Sequence, residues 1–204
     1  YFSFGKIWNL FGRLNLTYLA IAFFLLALLL RKDIIKISIF TTGLTGITLA
    51  IIISLIFQIN FGFLYYRLGT IIASFMLGLS LGSLCAMRFL PFLARTETSS
   101  LKTLSFLEAF VALACVSTCI FLKQHQLAYF VFAAVIGFLT GCEFGLFCRL
   151  RHISTVYSLD LIGACVGSLS VGLILIPVLG IYETCMGIGL LKIIGLLFLR
   201  KQAR

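Results

Sequence analysis

The stretch 155–181, TVYSLDLIGACVGSLSVGLILIPVLGI, constrains this chain more than any other. It is apolar over about the width of a membrane and carries one carboxylate, Asp160, roughly a turn and a half inside it. At 100° per residue Gly163 and Gly167 fall about 60° and 20° from Asp160, so the three share one helical face. Such a face lets a second backbone come close and sets a charge beside the contact. A carboxylate in hydrocarbon is costly, so Asp160 needs a structural partner or a ligand.

The rest of the chain has the same character. Of its 204 residues, 62% are hydrophobic and 11% charged, where soluble domains run near about 25% charged. Mean hydropathy is +1.19, and the apolar residues are blocked into long runs. That pattern predicts an all-α polytopic membrane helix bundle. The net charge of +10 does not point to nucleic acid. The bases sit at the ends of apolar runs, where juxtamembrane charges belong.

Seven cysteines, Cys85, Cys115, Cys119, Cys142, Cys148, Cys165 and Cys185, lie within or at the ends of these runs. Their number is odd and no CxxC occurs, so they read as small hydrophobes and imply neither disulfides nor a zinc site. No cofactor is expected.

The chain begins YFSFGKIW, without an initiator Met or an evident cleavable signal. It is therefore expected to be a fragment, or the ordered part of something longer. Residues 1–13 read as an interfacial segment or the end of a missing preceding region, and 14–204 as a helical membrane domain. About seven spans are expected. They cover 14–30, which is short for a ~30 Å core, then 34–59, a run from the link at 60–66 to 90, 104–122, 127–148, the opening stretch up to Pro177, and 179–199.

Within these spans small residues form stripes. Gly78 and Gly82, with Ser74 on the same face, make a helix-contact stripe in the third. Glu108 heads a stripe continued by Ala112, Cys115 and Cys119 in the fourth. Gly137, Gly141 and Gly145 make two consecutive GxxxG spacings in the fifth. Glu143 points about 160° away from that face and must be solvated by a different neighbour. Residues 91–103, PFLARTETSSLKT, form the longest polar link.

Seven spans put the termini on opposite sides. One side then holds Lys6, Arg13, Arg67 and Lys123. The other holds Arg31, Lys32, Lys36, Arg88, Arg95, Lys102, Arg149, Arg151, Arg200, Lys201 and Arg204. The richer side is expected in the cytoplasm of a bacterial inner membrane, with the N-terminus outside and the C-terminus inside. Glu108, Glu143 and Asp160 then all lie within about two turns of cytoplasmic helix ends, whereas Glu183 lies near the outer face.

Three intramembrane acids at one depth suggest a cytoplasmic-side cavity for a cation, a proton or an amine. Alternatively each acid pairs with a base, from Lys102, Arg149, Arg151 or Lys192, or caps a helix end. Asp160, near a helix start, could also be stabilised by the helix dipole. His125 and His152 fall at opposite faces, too far apart to share a haem. No P-loop, GxSxG or HExxH occurs, so no catalytic centre is legible.

Two regions carry a family resemblance. GLTGITLAIIISLIFQINFGFLYYRLGTIIASFMLGLSLGS and VYSLDLIGACVGSLSVGLILIPVLGI resemble the membrane domain of bacterial spermidine synthase-like integral membrane proteins. The second holds the tyrosine–x–x–aspartate, the glycine-spaced helix and the P-x-x-G ending. The resemblance maps the family's positions onto Gln58, Gly62, Tyr65, Phe75, Met76, Gly78, Gly82, Tyr157, Asp160, Gly163, Gly167, Pro177 and Gly180. This chain has Ala50 where the family tends to have a glutamate, and these 204 residues are expected to hold no soluble aminopropyltransferase-like domain. The resemblance thus implies no spermidine synthase activity here.

Two function classes follow. The first is a membrane subunit or anchor assembling with a partner protein, a complex or a missing soluble domain. The alternative is a small-molecule or cation transporter with a cytoplasmic-side acidic cavity. Compact loops favour the first, and the three acids at one depth favour the second. A shared wet cavity around the acids would support transport. Acids tied off one by one, or a glycine-lined contact with another chain, would support assembly.

Overall fold

The structure, a computed structural model, describes residues 33–62, 65–93, 97–120 and 126–202. Six helices, and no strand, occur among them: α1 (Ile34–Phe61), α2 (Tyr65–Leu93), α3 (Glu97–Ile120), α4 (Gln126–Leu150), α5 (Ile153–Ser170) and α6 (Ile181–Gln202). A π-helical segment, Val171–Leu179, continues α5 directly. All six are long and apolar enough to cross a membrane. They occupy the spans expected from residue 34 onward. The span expected at 14–30 and the segment 1–13 lie outside the described residues.

Two boundaries differ from expectation. Helix α2 does not end before Pro91 but runs on to Leu93, and α3 starts at Glu97, inside the expected polar link. A polar residue ends a membrane span without ending a helix, and serine, threonine and lysine all tolerate helical backbone. Likewise the helix after residue 153 does not stop at Pro177 but continues to Leu179. Proline in an α-turn collides with the carbonyl four residues back. The wider π-turn moves that carbonyl away from the ring.

Helix α1 occupies the middle of the bundle. Ile39, Leu49, Ile52, Ile53 and Phe57 on it are almost fully buried, and so are five hydroxyl side chains, Ser38, Thr41, Thr42, Thr45 and Thr48. By contrast, α5 and its π-helical continuation bury only Val156, Gly163, Gly167 and Val171. Their outward residues include Leu161, Ile162, Leu169, Leu173, Val178 and Leu179. A helix apolar all round yet largely uncovered is at home in lipid. The chain is a membrane-embedded helix bundle.

Glycines set two close helix contacts. On α2, Gly78 and Gly82 lie against the Ala134 and Phe138 carbonyls of α4. Reciprocally, Gly137 and Gly141 of α4 lie against the Phe75 and Leu79 carbonyls of α2, and Gly145 meets Ala86 and Ser83. A methyl group at any of the five would overlap its neighbour, so only glycine permits this approach. On α5, Gly163 and Gly167 approach the Phe40 and Leu44 carbonyls of α1, and Gly43 of α1 receives the Asp160 carbonyl. Both glycine faces are thus consumed inside the chain.

The ends opposite the N-terminus of α1 are held by polar and aromatic contacts. Gly62, at φ 80°, closes α1 with its N–H on the Gln58 carbonyl at 2.9 Å, the usual role of a glycine at this position. Asn60 donates to the Tyr129 hydroxyl at 2.8 Å, and Arg67 donates to Gln126. Phe57, Phe61, Tyr129 and Phe130 stack around them. Exposed Tyr65 and Tyr66 precede Arg67 as an interfacial belt.

Candidate functional site

Glu108 comes from α3, Glu143 from α4 and Lys192 from α6, and all three are wholly buried. The Lys192 ammonium lies 2.9 Å from Glu143 Oε2 and 3.2 Å from Glu108 Oε2. It also donates to Thr42 Oγ1 on α1 at 2.9 Å. Thr42 in turn donates to Glu143 Oε2 at 2.7 Å, and Ser38, one turn earlier on α1, donates to Glu108 Oε1 at 2.5 Å. Four helices therefore meet at one ammonium.

Local sequence explains each placement. Ser38 and Thr42 are four apart, so they stack on one face of α1 and each reaches one acid. Glu143 sits opposite the glycine face that α4 gives to α2, which aims it into the bundle. The stripe behind Glu108 docks α6: a side chain at Gly189 would touch Cys115 and the Ala112 carbonyl. That contact brings Lys192, nearly one turn further along α6, level with Glu108. The cluster lies roughly 6–17 Å from the helix ends on one side, at 1.5 Å per residue.

The charge count is unequal, with two carboxylates against one ammonium. Like carboxylates sharing a buried site cannot both stay charged without enough positive charge beside them. The hydrogen bonding is incomplete as well. Glu108 Oε2 makes only its ion contact, and Glu143 Oε1, though buried, has no hydrogen-bond partner among the described residues. Another buried hydroxyl, Thr48 Oγ1, is also unpartnered among them. No group of three His, Cys, Asp or Glu side chains among the described residues could hold a metal ion.

Asp160 stands apart. It is half-buried on α5 and held against α1 at Gly43. Equal depth along the membrane does not put three acids on converging faces. Of the four candidate bases only Lys192 enters the cluster, since Lys102, Arg149 and Arg151 are exposed. Ser38 and Thr42 escaped the sequence reading, although two hydroxyls four apart in an Ile-rich helix were the available signal. His152 is exposed ahead of α5, while His125 lies outside the described residues. No family model, curated protein or solved structure matches this chain.

A cleft lined by Ile53, Ile56, Thr118, Tyr129, Phe132 and Val135 is apolar and shares no residue with the charged cluster.

Proposed function

We propose that this chain is a membrane carrier of cations or small molecules, with the Glu108–Glu143–Lys192 cluster as its ion-coupling site. One observation carries the reading: two acids share a single base in a wholly buried membrane site. A purely structural pair would be neutral with one acid, and buried ion pairs contribute little stability to begin with. The second acid gives the site room for one further positive charge, a proton or a cation. Intramembrane ionisable groups of this kind mark ion and substrate pathways.

The assembly reading loses one of its supports, because the glycine faces pack within the chain rather than against a neighbour. The cluster is occluded here, so transport requires a second arrangement that opens it. Lys36, Arg88, Lys102, Arg149, Arg151 and Arg200 surround its end of the bundle while Arg67 marks the other. That distribution favours the cytoplasm for the cluster's side. The resemblance to spermidine synthase-like membrane domains stays a proposal of kinship and brings no aminopropyl transfer with it.

The test is electrical. Purified protein in proteoliposomes on a solid-supported membrane should give transient currents when a proton or cation gradient is imposed. Glu143→Gln and Glu108→Gln should reduce them at least tenfold. Currents equal in both variants and in empty liposomes would remove the transport reading.

A further inference from the structure

The chemistry of the cluster narrows what it carries. Lys192 Nζ is a primary ammonium, and its three oxygen neighbours, Thr42 Oγ1, Glu143 Oε2 and Glu108 Oε2, lie at 2.9, 2.9 and 3.2 Å. Thr42 Oγ1 and Glu143 Oε2 accept hydrogen bonds from it and Glu108 Oε2 adds an ion contact, a set that a group with three N–H donors can face at once. A guanidinium is a planar fork that prefers paired oxygens of one carboxylate. A quaternary ammonium has no N–H to offer. A hard metal ion would need six or more oxygens, and no metal-holding group occurs among the described residues.

Glu143 Oε1 adds an independent indication. It is buried and has no hydrogen-bond partner among the described residues, so the resident ammonium does not exhaust the site. Lys192 is also carried on a helix with a built-in bend. Helix α6 starts directly after Gly180, whose φ of 92° and ψ of 174° suit glycine alone, and after nine residues of π-helix containing Pro177. π-helical turns are rare and occur frequently at functional sites.

We infer that the Thr42–Glu108–Glu143 cradle is a primary-ammonium site, that Lys192 is its tethered occupant, and that an alkylamine substrate takes the place of Lys192 when α6 withdraws. This rests on the carrier reading given above. The exchange forms and breaks no covalent bond. One ammonium leaves three oxygens and another occupies them, so the net charge of the cluster is unchanged.

The experiment removes the tether. Lys192→Ala empties the cradle, and its thermal unfolding in detergent is followed with methylammonium, ethylammonium, tetramethylammonium, guanidinium or sodium chloride at matched ionic strength. Methyl- and ethylammonium should raise the midpoint saturably, by roughly 5–10 °C at a hundredfold excess over Kd. The others should not, and Lys192→Ala/Glu143→Gln should lose the gain. Equal effects of tetramethylammonium or sodium, or none from either primary amine, overturn the ammonium site. Should Lys192→Ala fail to fold, uptake of labelled ethylammonium by wild-type proteoliposomes decides. Competition by methylammonium and not by tetramethylammonium supports the site, and no such selectivity overturns it. The carrier reading fails separately, if Lys192→Ala is rescued selectively while wild-type vesicles pass no cation.

Discussion

Lys192 and Thr42 are 150 positions apart in the chain, yet the lysine donates to the threonine hydroxyl at 2.9 Å. That hydroxyl donates at 2.7 Å to Glu143 Oε2, the same oxygen the ammonium holds at 2.9 Å. Ammonium, hydroxyl and carboxylate close a three-membered ring of contacts joining α1, α4 and α6. The hydroxyl serves as acceptor and donor at once, a geometry valine at the same volume could not supply.

Lys192→Met therefore leaves two acids in a buried site without a base. Breaking a buried pair in this way costs about 3–5 kcal/mol. Thermal unfolding monitored by fluorescence-detected size exclusion should show a large drop in midpoint. Lys192→Met/Glu143→Gln, which removes one charge of each sign, should recover part of it. Additive losses in the double variant would mean that Lys192 and Glu143 do not interact.

Asp160→Asn should be mild. Its carboxylate bonds to nothing in the cluster, so the stability read from unfolding should change by no more than about 0.5 kcal/mol, the range of substitutions that break no specific contact. Glu143→Gln should cost several times as much. Equal losses would place Asp160 inside the cluster.

Gly78→Ala and Gly137→Ala put a methyl group into the carbonyls of Ala134 and Phe75 respectively. Each should cost about 1–3 kcal/mol by overpacking. Gly187→Ala meets nothing within 4 Å and should be neutral or stabilising by up to about 1 kcal/mol. The contrast in unfolding midpoints checks which glycines are contact residues.

Gly180→Ala forces a side chain onto a backbone at φ 92° and ψ 174°, at about 1–3 kcal/mol of strain. Because α6 starts there, currents in proteoliposomes should fall together with stability. A fall in stability with full currents would show that the bend is not used.

Orientation can be checked by labelling. In a cysteine-free background, Tyr65→Cys should react with an impermeant maleimide in intact cells, and Arg151→Cys only after permeabilisation. The reverse pattern would invert the bundle.

Particular residues show what the sequence could reveal. Helix identity from residue 34 onward was legible because each run is long and apolar. The direction of Glu143 was legible because glycine spacing marks the opposite face of α4, and a single helix fixes that angle. The choice of Lys192 over Arg149 was not, since it depends on how α3 and α6 meet, which involves residues some eighty positions apart. Depth misled the grouping of Asp160, because helical rotation, not depth, decides which acids converge. The first expected span falls outside the described residues.

The π-helical segment Val171–Leu179 also stores length. Its turns hold more residues, and rise less per residue, than those of an α-helix. If it tightens to α-geometry, the same nine residues grow longer and wind through a larger angle. The start of α6 is then both pushed and rotated, with no loop to absorb the change. Since α2 and α4 are locked together backbone to backbone, the displacement falls on the helix that carries the one buried ammonium described in the bundle.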